Sequence, residues 1–167
     1  GTIDLDANST GSDADVVVDE VVTSTTGTIT IDAADTIWNT AVISATGAGV
    51  IDLNAADNVD QDADITSVGG NITVDADTTD INMADGTTTD SGAGTIAYTA
   101  ETDVDISILD SDSTVDVTAT TGEITDNLSA GTEDANIFGT TVTLSAATGI
   151  GSSDDIDTNI TTLDATN

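Results

Sequence analysis

GTITIDAADTIWNTAVISATGA, residues 27 to 48, is followed at once by GVIDLNAADNVDQDADITSVG, residues 49 to 69, and the second stretch nearly repeats the first. Laid over each other, the two agree at Gly27 and Gly49, at Ile29 and Ile51, across Ala33-Ala34-Asp35 and Ala55-Ala56-Asp57, at Ala41 and Ala63, and at Ile43 and Ile65. An offset of this length marks a repeat architecture. The phrase Gly-x-Ile-x-apolar-x-Ala recurs from Gly1, Gly27, Gly49, Gly70 and Gly94, and a sixth copy is read at Gly122-Glu123-Ile124, with Asp126 in an apolar slot. The starts lie 26, 22, 21, 24 and 28 residues apart.

Strict alternation places successive side chains on opposite sides of a strand, so each phrase reads as a strand with one face inward. The leading glycine is expected to supply the backbone angles of a corner. A second apolar patch follows in most units, as in Ile37, Ala41 and Ile43, in Val59, Ala63 and Ile65, and in Val104, Ile106 and Ile108. Two or three short strands per unit, joined by corners rich in Asp, Asn, Thr, Ser and Gly, cannot bury a core alone. Wound once and stacked on the preceding unit, they pair like with like in parallel.

The expected fold is therefore all-β: a parallel β-helix, or β-solenoid, of about seven coils of 21–28 residues and about 35 Å tall. Residues 1–167 form one such segment, part of a longer array or the protomer of a filament whose uncapped edges invite further pairing. Aromatic residues make up only 2% of the chain, so the bore is expected to be narrow. Trp38 falls opposite Asp60, an outward position by alternation, and is read either as a surface residue at a contact or, by preference, as a corner filler.

Composition restricts function. The chain carries 32 acidic residues and no Lys, Arg or His, giving a net charge of −32. It cannot build an internal salt bridge between side chains, and it repels nucleic acid and anionic membrane surfaces, whose recognition rests on Lys and Arg. Cations and neutral surfaces are the expected partners. Cysteine is absent, so no disulfide framework or thiolate metal site can be read. No apolar run approaches the roughly 18 residues of a membrane span, and no membrane insertion is expected. Acidity with few aromatics often signals disorder, but 37% of the residues are hydrophobic and they alternate, which disorder does not require.

Catalysis is not expected. Paired carboxylates can run glycoside hydrolysis, yet without an imidazole or a cationic side chain there is no nucleophile–base pair and nothing to orient an acidic sugar. Ice binding would need flat Thr ladders, and Thr30 is matched by Asp4 and Asp52 in the neighbouring units.

Stacking has an electrostatic consequence. Asp6, Asp32, Asn54 and Asp75 form one outward column, and Asp4, Thr30, Asp52 and Thr73 the next. Like charges directly opposite across strands destabilise a sheet. Calcium is the expected counterion, because it accepts six to eight oxygens at flexible geometry. The candidate ligands, taken from these columns and the corners beside them, are Asp6, Asp32, Asp35, Asp52, Asp57, Asp75 and Asp77. Corner acids occur in Asp60-Gln-Asp62-Ala-Asp64, Asp13-Ala-Asp15, Asp110-Ser-Asp112 and Asp154-Asp155. Asp4-Leu-Asp6-Ala-Asn8-Ser9 opens like an EF-hand loop but has Ser where the loop needs Gly, and Asp15 where it needs Glu.

The repeats, together with Thr143-Leu-Ser-Ala-Ala-Thr-Gly-Ile-Gly-Ser152 and Ile156-x-Thr-x-Ile-x-x-Leu-x-Ala165, resemble those of filamentous-haemagglutinin-type adhesins, large secreted bacterial exoproteins. The resemblance covers essentially the whole chain. It implies a right-handed parallel β-helix, export, and a role as a surface shaft. The chain is thus expected to be a structural, non-catalytic segment of an extracellular adhesin or surface filament. The rival expectation is an adhesive module that binds a glycan or a protein through Trp38, Tyr98 or Phe138.

Overall fold

The computed structural model describes residues 1–8, 14–129, 135–152 and 154–167. These contain strands and no helix, hence no helix long and apolar enough to cross a membrane. The strands wind into a parallel β-solenoid of three faces and about seven turns, each turn adding one strand to a seven-stranded second face.

The repeated phrase supplies the first face: Ile3–Ala7, Ile29–Ala33, Ile51–Ala55, Ile72–Ala76 and Ile96–Ala100 are successive parallel neighbours. The second face runs from Val16–Val18 through Ile37–Asn39, Val59–Gln61, Ile81–Met83, Val104–Ile106 and Glu123–Asp126 to Gly149–Ile150. The third face begins with Val22–Ser24, Ile43–Ala45, Ile65–Ser67, Thr88–Gly92 and Ile108–Ser111. Near the carboxyl end the long strand Ile137–Ala146 pairs with both Ile108–Ser111 and Thr114–Ala119, so the first and third faces join in one 13-stranded sheet. Ala41 and Ala63, read as part of the second apolar patch, stand in the corners between the second and third faces.

Register holds residue by residue. Ile29, Ile51, Ile72 and Ile96 form one inward column and Ala33, Ala55, Ala76 and Ala100 another, all buried. Each fully buried Ile or Leu contributes about 1.5–3 kcal/mol by leaving water. The small Ala ends each first-face strand where the chain turns, which keeps the bore narrow there.

The sixth copy of the phrase needs correction. Ile124 pairs with Val104 on the second face, so Gly122-Glu123-Ile124 does not open a first-face strand. The true sixth strand is Thr114–Ala119, whose Val115, Val117 and Ala119 align with Ile96, Tyr98 and Ala100. Its corner is reduced to Asp112 and Ser113, and no glycine precedes it to mark it.

The glycine column also has a different cause from the one expected. Among the described residues, positive φ occurs at Gly86, Gly92 and Gly151, none of which opens a repeat. The repeat glycines are small because successive coils touch there. A Cβ on Gly27 would overlap the carbonyl oxygen of Gly1, one on Gly49 that of Gly27, and one on Gly94 that of Gly70.

Buried serines brace the same corner. Ser67 Oγ donates to Gly49 O at 3.0 Å and accepts from Gly70 N at 2.8 Å, and Ser24 does the same between Gly1 O and Gly27 N. Ser67→Ala removes both bonds inside a buried corner. A loss of about 1–3 kcal/mol is expected in urea denaturation, with no change in the β-sheet circular dichroism of the folded state.

The bore is not wholly apolar. Gln61, Thr89 and Tyr98 close a buried triangle, with Tyr98 OH donating to Gln61 Oε1 at 2.6 Å, Gln61 Nε2 donating to Thr89 Oγ1 at 3.0 Å, and the two hydroxyls 2.7 Å apart. Burial pushes the Tyr98 phenol up, so it stays neutral. Asn39, in register with Gln61, donates from Nδ2 to Ala63 O at 2.9 Å.

Candidate functional site

Among the described residues no acidic side chain is buried, so the candidate site is the acidic surface. The two expected columns exist: Asp6, Asp32, Asn54 and Asp75 are register partners in succession, as are Asp4, Thr30, Asp52 and Thr73. Further along, Asp75 meets Thr99 and Thr73 meets Ala97. The second face follows suit with Asp60, Asn82, Asp105 and Thr125.

In these columns an acid is mostly followed by a neutral hydrogen-bonding residue, and that residue often donates to it. Asn54 Nδ2 donates to Asp32 Oδ1 at 2.8 Å and Asn82 Nδ2 to Asp60 Oδ1 at 2.9 Å. Thr125 Oγ1 donates to Asp105, and Thr102 Oγ1 to Asp80. Corner acids accept backbone N–H groups from the next coil: Thr36 N donates to Asp15 at 3.2 Å, Thr88 N to Asp64 at 2.9 Å and Glu123 N to Asp103 at 2.8 Å. These carboxylates are therefore clasps between coils. A bond from a neutral donor to a charged acceptor is worth about 1.5–3 kcal/mol, more than a neutral pair. Acids stand directly opposite each other at Asp6 with Asp32 and at Asp90 with Asp110.

The seven candidate ligands divide between strand and corner. Asp6, Asp32 and Asp75 share the first column with Asn54, and Asp52 lies in the second. Asp35 and Asp57 follow one another in the corner stack, where Asp57 N donates to Asp35 O at 3.1 Å. The Asp57 carboxylate accepts from Thr78 Oγ1 at 3.0 Å. Asp77 lies with Asp32, Asn54 and Asn8 along one shallow groove at the first corner. Among the described residues, no three acidic side chains are gathered as a ligand set. Asp4 and Asp6 lie within the strand Ile3–Ala7, whereas Ser9 of the EF-hand-like run and Asp13 of the acidic corner fall outside the described residues.

Crowding shows in acidity. Asp52 is raised above its ordinary value by burial and by the Asp32 charge, partly countered by Asn54. Asp75 is raised by burial, Asp77 and Asp52, and Asp110 by burial, Asp90 and Asp112. Exposed Asp85 moves the other way because Ser129 donates to it from both hydroxyl and backbone. For a raised carboxyl the folded state binds more protons than the unfolded chain between the ordinary value of 3.8 and the raised value. Its contribution to stability is full below 3.8 and is lost as pH rises through the folded value. Asp52, Asp75 and Asp110 therefore favour the folded state more just above 3.8 than at neutral pH, and the urea midpoint is expected to be higher at about pH 4 than at about pH 7. That is the reverse of ordinary acid denaturation.

The three aromatic candidates part company. Tyr98 is buried in the bore, out of reach of any glycan or protein, and Phe138 is half-buried between Asp110 and Asn159. Trp38 does not fill a corner: it stands at the middle of the strand Ile37–Asn39, 41% exposed, beside Val17 at 57%. Alternation decides this, since its neighbours Ile37 and Asn39 are the inward residues.

Comparison with protein-family models, curated proteins and solved structures finds no match for this chain.

Proposed function

We propose that the chain is a structural, non-catalytic segment of an extracellular adhesin or surface filament, a hydrated acidic rod braced by divalent cations, calcium foremost. The observation that carries this reading is a parallel stack whose first face keeps its register from coil to coil and in which, among the described residues, no acidic side chain is buried. A solenoid of this kind grows in length by adding coils and makes no demand for a catalytic cleft. Several acids, Asp32 and Asp60 among them, are engaged as clasps to the next coil, and the chain has no imidazole or cationic side chain to stand beside any of them.

The ion part follows from charge. Neutral donors relieve many contacts but leave Asp6–Asp32 and Asp90–Asp110 facing each other within a chain of net charge −32. Adding a chelator is expected to lower the thermal midpoint followed by circular dichroism, with millimolar calcium restoring it. Equal recovery with sodium chloride at matched ionic strength would reduce the effect to screening and remove the specific ion. The placement is tested separately. Antibodies against the folded rod are expected to label intact source cells, and labelling only after permeabilisation would contradict an extracellular role.

A further inference from the structure

The outward column of the second face changes character along its length. From Asp60 onward it reads Asp60, Asn82, Asp105 and Thr125, all polar, but its first two rungs are Val17 and Trp38. Neither is needed for the core, whose inward positions on these rungs are Val18, Ile37 and Asn39. The result is an indole and an isopropyl group side by side in water.

Carboxylates frame this island. Asp15 and Asp19 flank Val17 at alternate positions of the same strand line and are exposed. Asp60 is the register partner of Trp38 on the next coil, and exposed Asp62 follows it. Asp15 and Asp60 each commit one oxygen, to Thr36 N and to Asn82 Nδ2 respectively. A carboxylate has about four acceptor directions, so both retain capacity toward solvent.

We infer that the Trp38 face docks a basic polypeptide segment, with an arginine side chain laid on the indole and held by the surrounding carboxylates. A guanidinium suits both halves of the surface. It is planar and weakly hydrated, stacks on aromatic faces, and presents a fork of donors to carboxylates. Lysine offers a charge without the plane, and an anionic partner is repelled. A neutral glycan would use the indole but would gain nothing from four negative charges around it. The inference goes beyond the rod reading and is independent of calcium; its failure leaves the rod intact.

Trp38 is the only tryptophan, so its fluorescence reports on this face alone. Titration with hexa-arginine at about 0.15 M salt, an ionic strength that screens beyond about 8 Å, is expected to give a saturable change in Trp38 emission. Measured with a labelled peptide, Trp38→Ala is expected to weaken binding about tenfold. The double change Asp15→Asn with Asp60→Asn should also weaken it while the indole remains, and Asp110→Asn on the third face should not. Circular dichroism controls for folding, since Trp38 lies outside the core. Equal affinity in Trp38→Ala, or binding that leaves the emission unchanged, would mean that the peptide meets only a diffuse polyanion. Quenching by a neutral oligosaccharide but not by hexa-arginine would assign the face to a glycan instead. Either result overturns the inference.

Discussion

Gly70→Ala is expected to destabilise the solenoid by about 3 kcal/mol or more, while Gly69→Ala, one residue earlier, is expected to be neutral or stabilising by up to about 1 kcal/mol. A Cβ on Gly70 would overlap the carbonyl of Gly49 and approach Val50 N to 2.9 Å. Neither backbone can withdraw. Ile51–Ala55 and Ile72–Ala76 are held in five-residue register with each other, and each is held again by its other neighbour. Moving the corner would also disturb the bond that Gly70 N makes to Ser67 Oγ. A Cβ on Gly69 meets only Ala93 Cβ at 3.9 Å, an ordinary contact, and the residue has no positive φ. Domains of this size are stable by about 5–15 kcal/mol, so the first change removes a large share and the pair of urea curves should separate widely.

Asn54→Asp is expected to cost about 4 kcal/mol at low salt. It fills the break in the first column, which would then carry a carboxylate on four successive rungs from Asp6 to Asp75. The donation from position 54 to Asp32 is lost, a bond to a charged acceptor worth about 1.5–3 kcal/mol. Two new like-charge contacts appear, with Asp32 on one side and Asp75 on the other. Across one strand spacing in water each costs on the order of 1 kcal/mol. Screening shortens to about 3 Å at 1 M salt, so the repulsive share should fade there while the lost bond remains. A penalty that does not change with salt would mean that the asparagine acts only as a donor and that alternation has no electrostatic role.

The five glycine-led phrases were legible because one fixed inward face forces a period of two within strands, and stacking forces like onto like between coils. Both outward columns of the first face followed from that phase alone. The sixth strand was missed because glycine served as its flag, and Thr114–Ala119 follows a corner too short to need one. The cause of the glycines was misread for a related reason: close approach between coils and a left-handed backbone select the same residue, and only coordinates separate them. Of the two placements that the sequence leaves open for Trp38, surface contact and corner, the outward parity selects the first, and the corner is the wrong preference. The clasps left a trace that a single-strand reading does not reveal. Asp32 is followed by Asn54 and Asp60 by Asn82, each after 22 residues, at the same phase of the next coil. Gln61 reads as part of an acidic corner, yet its place between outward Asp60 and Asp62 puts it in the bore, where Tyr98 and Thr89 meet it.

The claim on which everything rests is that sequence-distant residues of one column are equally spaced along the stack. Asp4, Thr30, Asp52, Thr73, Ala97, Asp116, Thr143 and Asp164 are successive partners despite unequal separations in sequence. The chain has no cysteine, so pairs of introduced cysteines can carry spin labels without background. With one label at position 4 and the other at 97, 116, 143 or 164, pulsed electron resonance is expected to give distances rising in even steps of about 4.8 Å per rung, from about 19 to about 34 Å between backbones. Distances that rise with sequence separation instead of rung number, or that fail to rise at all, would contradict the parallel stack and the arrangement of acids built upon it.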